Sequence, residues 1–214
     1  MPNWDENSPR LHANISQALR LARDSARARE EPSLELPRQW HAQIMNGLTP
    51  THGAEESWYG MYRGEPGQEF IGVRVGGIEG APPHVVSEKL NAFIDSMKRA
   101  VAKFDDELLE LDEAGNESEK EFDEGTVSAI IGLMAFAHGE WVRIDTFANG
   151  NGRTARLWAN WIAIRYGLPP FVTLRPRPGR EYEQACAKAM SGHWRSMRVV
   201  FEEMLDAMAN ELLP

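Results

Sequence analysis

The chain has 214 residues, 42% of them hydrophobic and 26% charged, which is the composition of an ordinary globular protein with one sizeable core. Its single cysteine, Cys186, excludes an intrachain disulfide and a cysteine-based zinc site, and it favours a reducing, cytoplasmic compartment. The longest apolar run, residues 130–137, is shorter than the roughly 18 residues that span a bilayer, so no membrane is expected as a partner. The formal net charge of -9 likewise argues against a nucleic-acid partner.

The first hundred residues are predicted to be mainly helical. Apolar residues at helical spacing predict one helix over 8–30 and a second over 36–48, followed by a loop rich in glycine, proline and polar residues. The run 70–75 predicts a strand, and the glycines after it supply turn chemistry. One short β-hairpin therefore interrupts a helical chain, which continues in a helix over 86–104.

The charge is unevenly distributed along the chain. Residues 105–124 carry eleven acids and one base, and we expect a solvated acidic connection with partly helical ends. Residues 143–180 carry seven arginines and one acid, a local charge of +6. The net charge thus conceals a basic region that is suited to an anion.

The strongest helical pattern begins at residue 125. The residues on its apolar face are Val127, Ile130, Ile131, Met134, His138 and Trp141. We expect both His138 and the tryptophans to pack in the core. A second apolar helix over 157–164 and two more, over 181–190 and 194–212, complete an all-α fold class.

The connection between the two apolar helices, residues 144–156, has the chemistry of an anion site. Its Asn-Gly-Asn-Gly sequence permits positive φ angles, and the following helix directs its positive end to the same place. Arg153 and Arg156 lie three residues apart on that helix, so they neighbour one another on one face. The alternative is a simple tight turn whose arginines pair with the acidic segment.

This connection resembles the signature of the Fic family, His-Pro-Phe-x-Asp/Glu-Gly-Asn-Gly-Arg-x-x-Arg. The matching residues are Phe147, Gly150, Asn151, Gly152, Arg153 and Arg156. Gly60-Met-Tyr-Arg63 looks like the segment before the family's β-hairpin flap, and Arg180-Glu-Tyr182 fits the tail of the domain. The resemblance implies a Fic-type helical core with a short β-hairpin flap over 36–214, preceded by an N-terminal helical extension over 1–35.

The resemblance also implies a function, namely transfer of AMP from ATP, with Mg²⁺, to a protein hydroxyl. By position, Gly150, Asn151 and Gly152 would form the anion hole, and Arg153 and Arg156 would hold the remaining phosphates. Tyr182 would line the nucleotide pocket, and Phe147 would anchor the loop in the core. A target or regulatory protein would dock at the flap, on Ile71, Val73 and Val75.

Three positions depart from the signature. Asp145 stands at the position of the family's catalytic histidine, Asn149 at that of its acidic metal ligand, and Thr146 at that of its proline. A free aspartate titrates near about 3.9 and a histidine near about 6.5, so Asp145 should be the poorer base unless burial raises its pKa. The sequence therefore predicts weak or altered AMP transfer or, alternatively, a catalytically silent Fic-fold module that binds a nucleotide or a protein.

Overall fold

The computed structural model describes residues 8–48, 58–75, 77–108 and 123–212. Within these ranges the chain forms seven helices and one two-stranded antiparallel hairpin, and the all-α prediction is confirmed. The elements are α1 (Pro9–Arg27), α2 (Glu35–Met45), β1 (Arg74–Val75), β2 (Ile78–Glu79), α3 (Pro83–Leu108), α4 (Glu124–Ile144), α5 (Asn151–Arg165), α6 (Arg180–Met190) and α7 (Arg195–Leu212).

The core lies around α4 and α5, which pack against each other. Helices α1 and α2 cover α5, whereas α3, α6 and α7 pack on α4. Four fully buried tryptophans fill the centre: Trp40, Trp141, Trp158 and Trp161. Their neighbouring ring centroids lie 5.0 to 6.0 Å apart in edge-on and tilted contacts, which are favourable geometries for aromatic pairs. The prediction that the tryptophans fill the core is confirmed for these four.

Helix α1, in the predicted N-terminal extension, is tied to the rest of the molecule by buried polar contacts. The Asn14 amide donates to the backbone carbonyl of Ile44 at 3.0 Å, and the Trp161 indole donates to the Ser25 hydroxyl at 3.1 Å. The helix ends before the predicted residue 30 because Arg29 adopts a left-handed conformation with φ 53°. The division of the chain at residue 35 stays a prediction.

The hairpin is shorter than predicted. The strand expected over 70–75 covers only Arg74–Val75, so Ile71 and Val73 precede it. The Ile71 carbonyl accepts a hydrogen bond from the Arg63 guanidinium at 3.0 Å, so this carbonyl is not available to a partner strand. One further backbone bond, from the Gly80 N–H to the Val73 carbonyl at 3.0 Å, extends the pairing beyond the two strands.

Both ends of the acidic stretch are helical, as expected. Helix α3 runs to Leu108, and α4 begins at Glu124 behind Asp123, whose carboxylate accepts the Thr126 N–H at 2.7 Å. The intervening residues 109–122 lie outside the described residues. Asp105 pairs with Arg165 at 2.6 Å.

By length and composition α4 is also a candidate membrane span, with a mean hydropathy of 1.2. However, 61% of its apolar window is buried inside the protein, where it packs against α3, α5, α6 and α7. Its position in the core therefore accounts for its apolar character.

Candidate functional site

The loop between α4 and α5 turns sharply at two residues with positive φ. Asp145 ends α4 in the left-handed region (φ 57°, ψ 61°), and its N–H still bonds to the Trp141 carbonyl. Gly150 (φ 79°) is the N-cap of α5, a conformation that glycine adopts without the steric cost of a Cβ. The predicted tight connection is present, and it delivers the chain to the N-terminus of a buried helix.

The side chain of Asn151 holds this loop in shape. Its Oδ1 accepts the backbone N–H of Phe147 at 2.7 Å, and its Nδ2 donates to the Phe147 carbonyl at 2.7 Å. The Phe147 ring is fully buried, 4.9 Å from the ring of Tyr62 and 5.9 Å from that of Trp141. Phe147 is therefore the core anchor that the sequence predicts, and the Asn151 amide is bonded to the backbone of the same loop.

The N-terminus of α5 has backbone features of an anion site. Among the described residues no side chain caps it. The N–H groups of Asn151 and Gly152 precede the first intrahelical bonds, which Arg153 and Thr154 donate to the Gly150 carbonyl at 3.1 Å. Such N–H groups, together with the helix dipole, favour phosphate or carboxylate groups.

Gly152 brings the backbone close to two polar side chains. A Cβ at this position would lie 3.6 Å from Nη1 of Arg156 and 3.8 Å from the hydroxyl of Tyr182. The N-terminal turn of α5, the second signature arginine and the predicted nucleotide-pocket tyrosine are thus assembled in one place. Arg153 is half-buried in the same turn.

A buried hydrogen-bonded chain fixes Arg156. Its Nη1 donates to the Tyr182 hydroxyl at 3.0 Å and its Nη2 to the Leu174 carbonyl at 3.2 Å. The Tyr182 oxygen also lies 2.9 Å from Nε2 of His138. Burial, reinforced by the Arg156 charge, lowers the pKa of His138 to about 3, so this ring is neutral. His138 is fully buried, as predicted, but it also supports the site through Tyr182.

The carboxyl group of Asp145 is buried under the base of the hairpin. A Cβ at Gly80 would lie 2.5 Å from the Asp145 Cβ, and only 1% of the Asp145 surface is exposed. Within the described residues, Oδ2 has no hydrogen-bond partner. Burial raises the pKa of this carboxyl to about 6, against the opposing effects of the Arg63 charge and a hydrogen bond from Asn151. The pKa of Asp145 is therefore near the ordinary value of a histidine.

Arg63 ties the hairpin to the end of α4. Its buried guanidinium donates to four backbone carbonyls at 2.5 to 3.0 Å. These carbonyls belong to Asp145, Ile71, Ala81 and Ile144. Sequence reasoning placed Arg63 in a family-like segment but gave it no role, because its partners lie between 8 and 82 positions away along the chain.

His41 on α2 is a contact of the loop that sequence reasoning missed. Its ring stacks on Phe147 with centroids 3.8 Å apart and planes 8° from parallel. Its Nε2 lies 3.0 Å from the Asn149 carbonyl, and its Nδ1 accepts the Gly60 N–H at 2.9 Å. His41 follows Trp40 on a helix that also carries Glu35, Arg38 and two glutamines, so no local pattern singles it out.

The residues around Asn149 do not fit a protein-held Mg²⁺. The Asn149 Oδ1 accepts the Gly150 N–H at 2.6 Å and carries no charge, whereas Mg²⁺ sites in proteins usually include a carboxylate. The nearby carboxylate, Asp145, is covered by Gly80. No group of three or more His, Cys, Asp or Glu suited to a metal occurs in the described part of the chain.

Two solved structures share this fold. A Fic-domain-containing signalling protein from Bacteroides thetaiotaomicron superposes with a TM-score of 0.59 and 17% identity, over 94% of this chain and 67% of that one. Fic-1 from C. elegans gives a TM-score of 0.59 and 24% identity, over 92% of this chain and 48% of that one. These likenesses concern the fold.

Two curated proteins are similar over a short segment. Each is a protein adenylyltransferase Fic, one from Drosophila persimilis and one from Drosophila pseudoobscura pseudoobscura, and each is 36% identical over 52 residues. That segment covers 24% of this chain and 10% of either relative, so the likeness supports an AMPylation-type function only in general. A sequence profile of the Fic/DOC family matches residues 32–163, more than half of the chain. The chain therefore belongs to the Fic/DOC family.

Proposed function

We propose that this protein binds the phosphates of ATP at the N-terminus of α5 and transfers AMP to a hydroxyl group of a partner protein. The observation that carries the proposal is the meeting of Gly152, Arg156 and Tyr182 at an uncapped helix N-terminus. Mg²⁺ would enter as part of the substrate, bound to the phosphates of ATP. Gly150, Asn151 and Gly152 would supply backbone N–H groups, and Arg153 and Arg156 the positive charge.

In this reaction the oxygen of the target hydroxyl attacks the α-phosphorus of ATP. A phosphorus–oxygen bond forms to the target, the bond to pyrophosphate breaks, and the hydroxyl proton passes to the carboxylate of Asp145. With a pKa of about 6, Asp145 is mostly ionised at neutral pH and is a better base than an exposed aspartate. Because Gly80 covers the carboxyl, the target hydroxyl reaches it only when the hairpin base shifts. We therefore propose slow transfer.

The hairpin is the proposed docking place for the target or for a regulatory protein. A cavity of about 430 Å³ lies at its base, between residues 72–74 on one side and residues 79–83 on the other. Ile71, Val73 and Val75 are half-buried beside it, and an extended segment could pair with the short strands.

A second candidate function is a silent binding module, which the coverage of Asp145 by Gly80 and the neutral amide at Asn149 favour. This module would keep the phosphate site and lack transfer. The two functions differ in a single measurable step, the formation of a covalent AMP adduct.

The test is calorimetry with MgATP, followed by incubation with ATP labelled at the α-phosphate and a lysate as the source of targets. We expect binding that Arg153→Ala and Arg156→Ala each weaken by about tenfold or more. The matched control is Arg99→Ala, an exposed arginine on α3. Label that requires Arg153 and Asp145 supports transfer, binding without label supports the silent module, and no binding by the wild type refutes both.

A further inference from the structure

His41 occupies a site in which both ring nitrogens are engaged. The backbone N–H of Gly60 donates to Nδ1 at 2.9 Å, so that nitrogen carries a lone pair and no proton. The proton of the neutral ring is therefore on Nε2, which donates to the Asn149 carbonyl at 3.0 Å. The geometry selects one tautomer and one ring orientation.

The ring is held in place on its face as well as at its edge. It stacks on Phe147, which is fully buried, and only 3% of the His41 surface is exposed. A Cβ at Gly150 would lie 3.2 Å from Cδ2 and 3.3 Å from Nε2 of the ring. The imidazole therefore lies directly against the residue that begins α5.

These contacts fix the peptide that joins Asn149 to Gly150. Its carbonyl is bonded to His41, while its N–H donates to the Asn149 Oδ1 at 2.6 Å. The next two N–H groups along the chain are those of Asn151 and Gly152, which open α5. An incorrect orientation of this peptide would rotate the backbone that presents those groups to an anion.

The ring is also neutral, as the contacts require. Burial lowers the pKa of His41, the bond to the Asn149 carbonyl opposes this effect and the Arg153 charge adds to it, so that the pKa is about 3. A protonated ring would direct an Nδ1–H at the Gly60 N–H, which would set two donors against each other.

We propose that His41 is a positioning residue of the phosphate site: its neutral imidazole, with the proton on Nε2, orients the Asn149–Gly150 peptide so that the first N–H groups of α5 face the bound phosphate. The inference rests on the proposed function for its ligand. It concerns binding geometry and assigns His41 no contact with the reacting atoms.

Three variants separate positioning from stability. His41→Phe keeps the ring stacked on Phe147 but removes both hydrogen bonds, and His41→Gln restores one donor and one acceptor. Ile44→Ala is the matched control, because it removes a buried side chain one turn further along α2. We expect the dissociation constant for MgATP to rise by about tenfold or more in His41→Phe, to stay within about threefold in His41→Gln and to be unchanged in folded Ile44→Ala.

A second readout needs no nucleotide. Hydrogen exchange at the amides of residues 150–154 should accelerate by about tenfold in His41→Phe relative to Ile44→Ala of similar stability. Unchanged exchange, or equal weakening of MgATP binding by Ile44→Ala, overturns the inference. If wild-type protein binds no MgATP but exchange accelerates, the proposed function fails while the positioning of the loop by His41 holds.

The wild type offers a test that does not depend on the folding of a variant. Nitrogen-15 NMR of the His41 ring should find the proton on Nε2 from pH 5 to pH 8. A proton on Nδ1, or a titration within that range, overturns the inference.

Discussion

The Nε atom of Arg63 donates a hydrogen bond of 2.5 Å to the backbone carbonyl of Asp145. The same guanidinium binds the carbonyls of Ile71 and Ala81, on the two sides of the hairpin. Arg63 therefore anchors both the flap and Asp145, the residue that the flap covers and that stands at the position of the family's catalytic histidine.

Removal of the Arg63 guanidinium should destabilise the protein. Arg63→Met removes four hydrogen bonds to backbone carbonyls, although the Ile144 carbonyl keeps the Ala81 N–H at 3.2 Å, and we expect a loss of about 3 kcal/mol or more in the free energy of unfolding. The exposed Arg74, which pairs with Glu79 across the hairpin, is the control, and Arg74→Met should cost less than about 1 kcal/mol. Urea unfolding measures both, and equal losses would contradict the assignment of Arg63 as the anchor.

A methyl group at Gly80 should displace Asp145. The added Cβ would lie 2.5 Å from the Asp145 Cβ, and relief of that overlap requires movement of the hairpin base. We expect Gly80→Ala to lower the free energy of unfolding by about 1–3 kcal/mol. Gly72→Ala, where nothing lies within 4 Å, is the control and should change stability by less than about 0.5 kcal/mol. A stable Gly80→Ala variant would show that the hairpin base moves freely.

The buried carboxyl of Asp145 should make stability fall with rising pH. Its pKa is raised from 3.8 to about 6 on folding, so the folded state binds this proton more tightly than the unfolded state does. The resulting stabilisation is fully present below pH 4 and is lost as the pH rises through 6, by about 3 kcal/mol at most. Asp145→Asn should therefore gain stability relative to the wild type between pH 4 and pH 7.5, as measured by urea unfolding. If the difference in the free energy of unfolding between the two proteins does not change with pH, the carboxyl is solvated and the prediction is wrong.

The Tyr182 hydroxyl should support both stability and nucleotide binding. Tyr182→Phe removes the oxygen that joins Arg156 to His138, and we expect a loss of about 1–3 kcal/mol together with weaker MgATP binding. Tyr166→Phe is the matched control, since its buried hydroxyl binds Asp105 at 3.0 Å. The control should lose stability and keep its affinity for MgATP, whereas parallel losses of affinity in the two variants would refute the assignment.

Local sequence patterns were sufficient for the helices and for the loop between α4 and α5. The apolar spacing around Ile130 and Trp141 defines a buried helical face whatever lies opposite it, and the glycines at 150 and 152 mark a turn before a helix. The core position of Phe147 followed from the family signature. These features depend on residues that are close together in the chain.

The remaining parts of the site depend on distant residues. His41 and Asn149 are 108 positions apart, and Arg63 and Asp145 are 82 apart, so no local pattern could pair them. The pKa of Asp145 follows from its burial beneath Gly80, which a sequence does not state. The short hairpin also depends on a distant residue, because the Ile71 carbonyl is bonded to the Arg63 guanidinium instead of to a partner strand.

The ring of Phe147 lies between those of His41, Tyr62 and Trp141, and Trp141 in turn contacts the central tryptophans. The loop between α4 and α5 therefore packs on the same core, and we expect its backbone to keep its conformation as long as that core is folded. The hairpin has only two residues in each strand, too few to be stable without its anchor, Arg63. We therefore expect spontaneous opening near the site to occur in the cover over Asp145, while the surface proposed to bind phosphates keeps its shape.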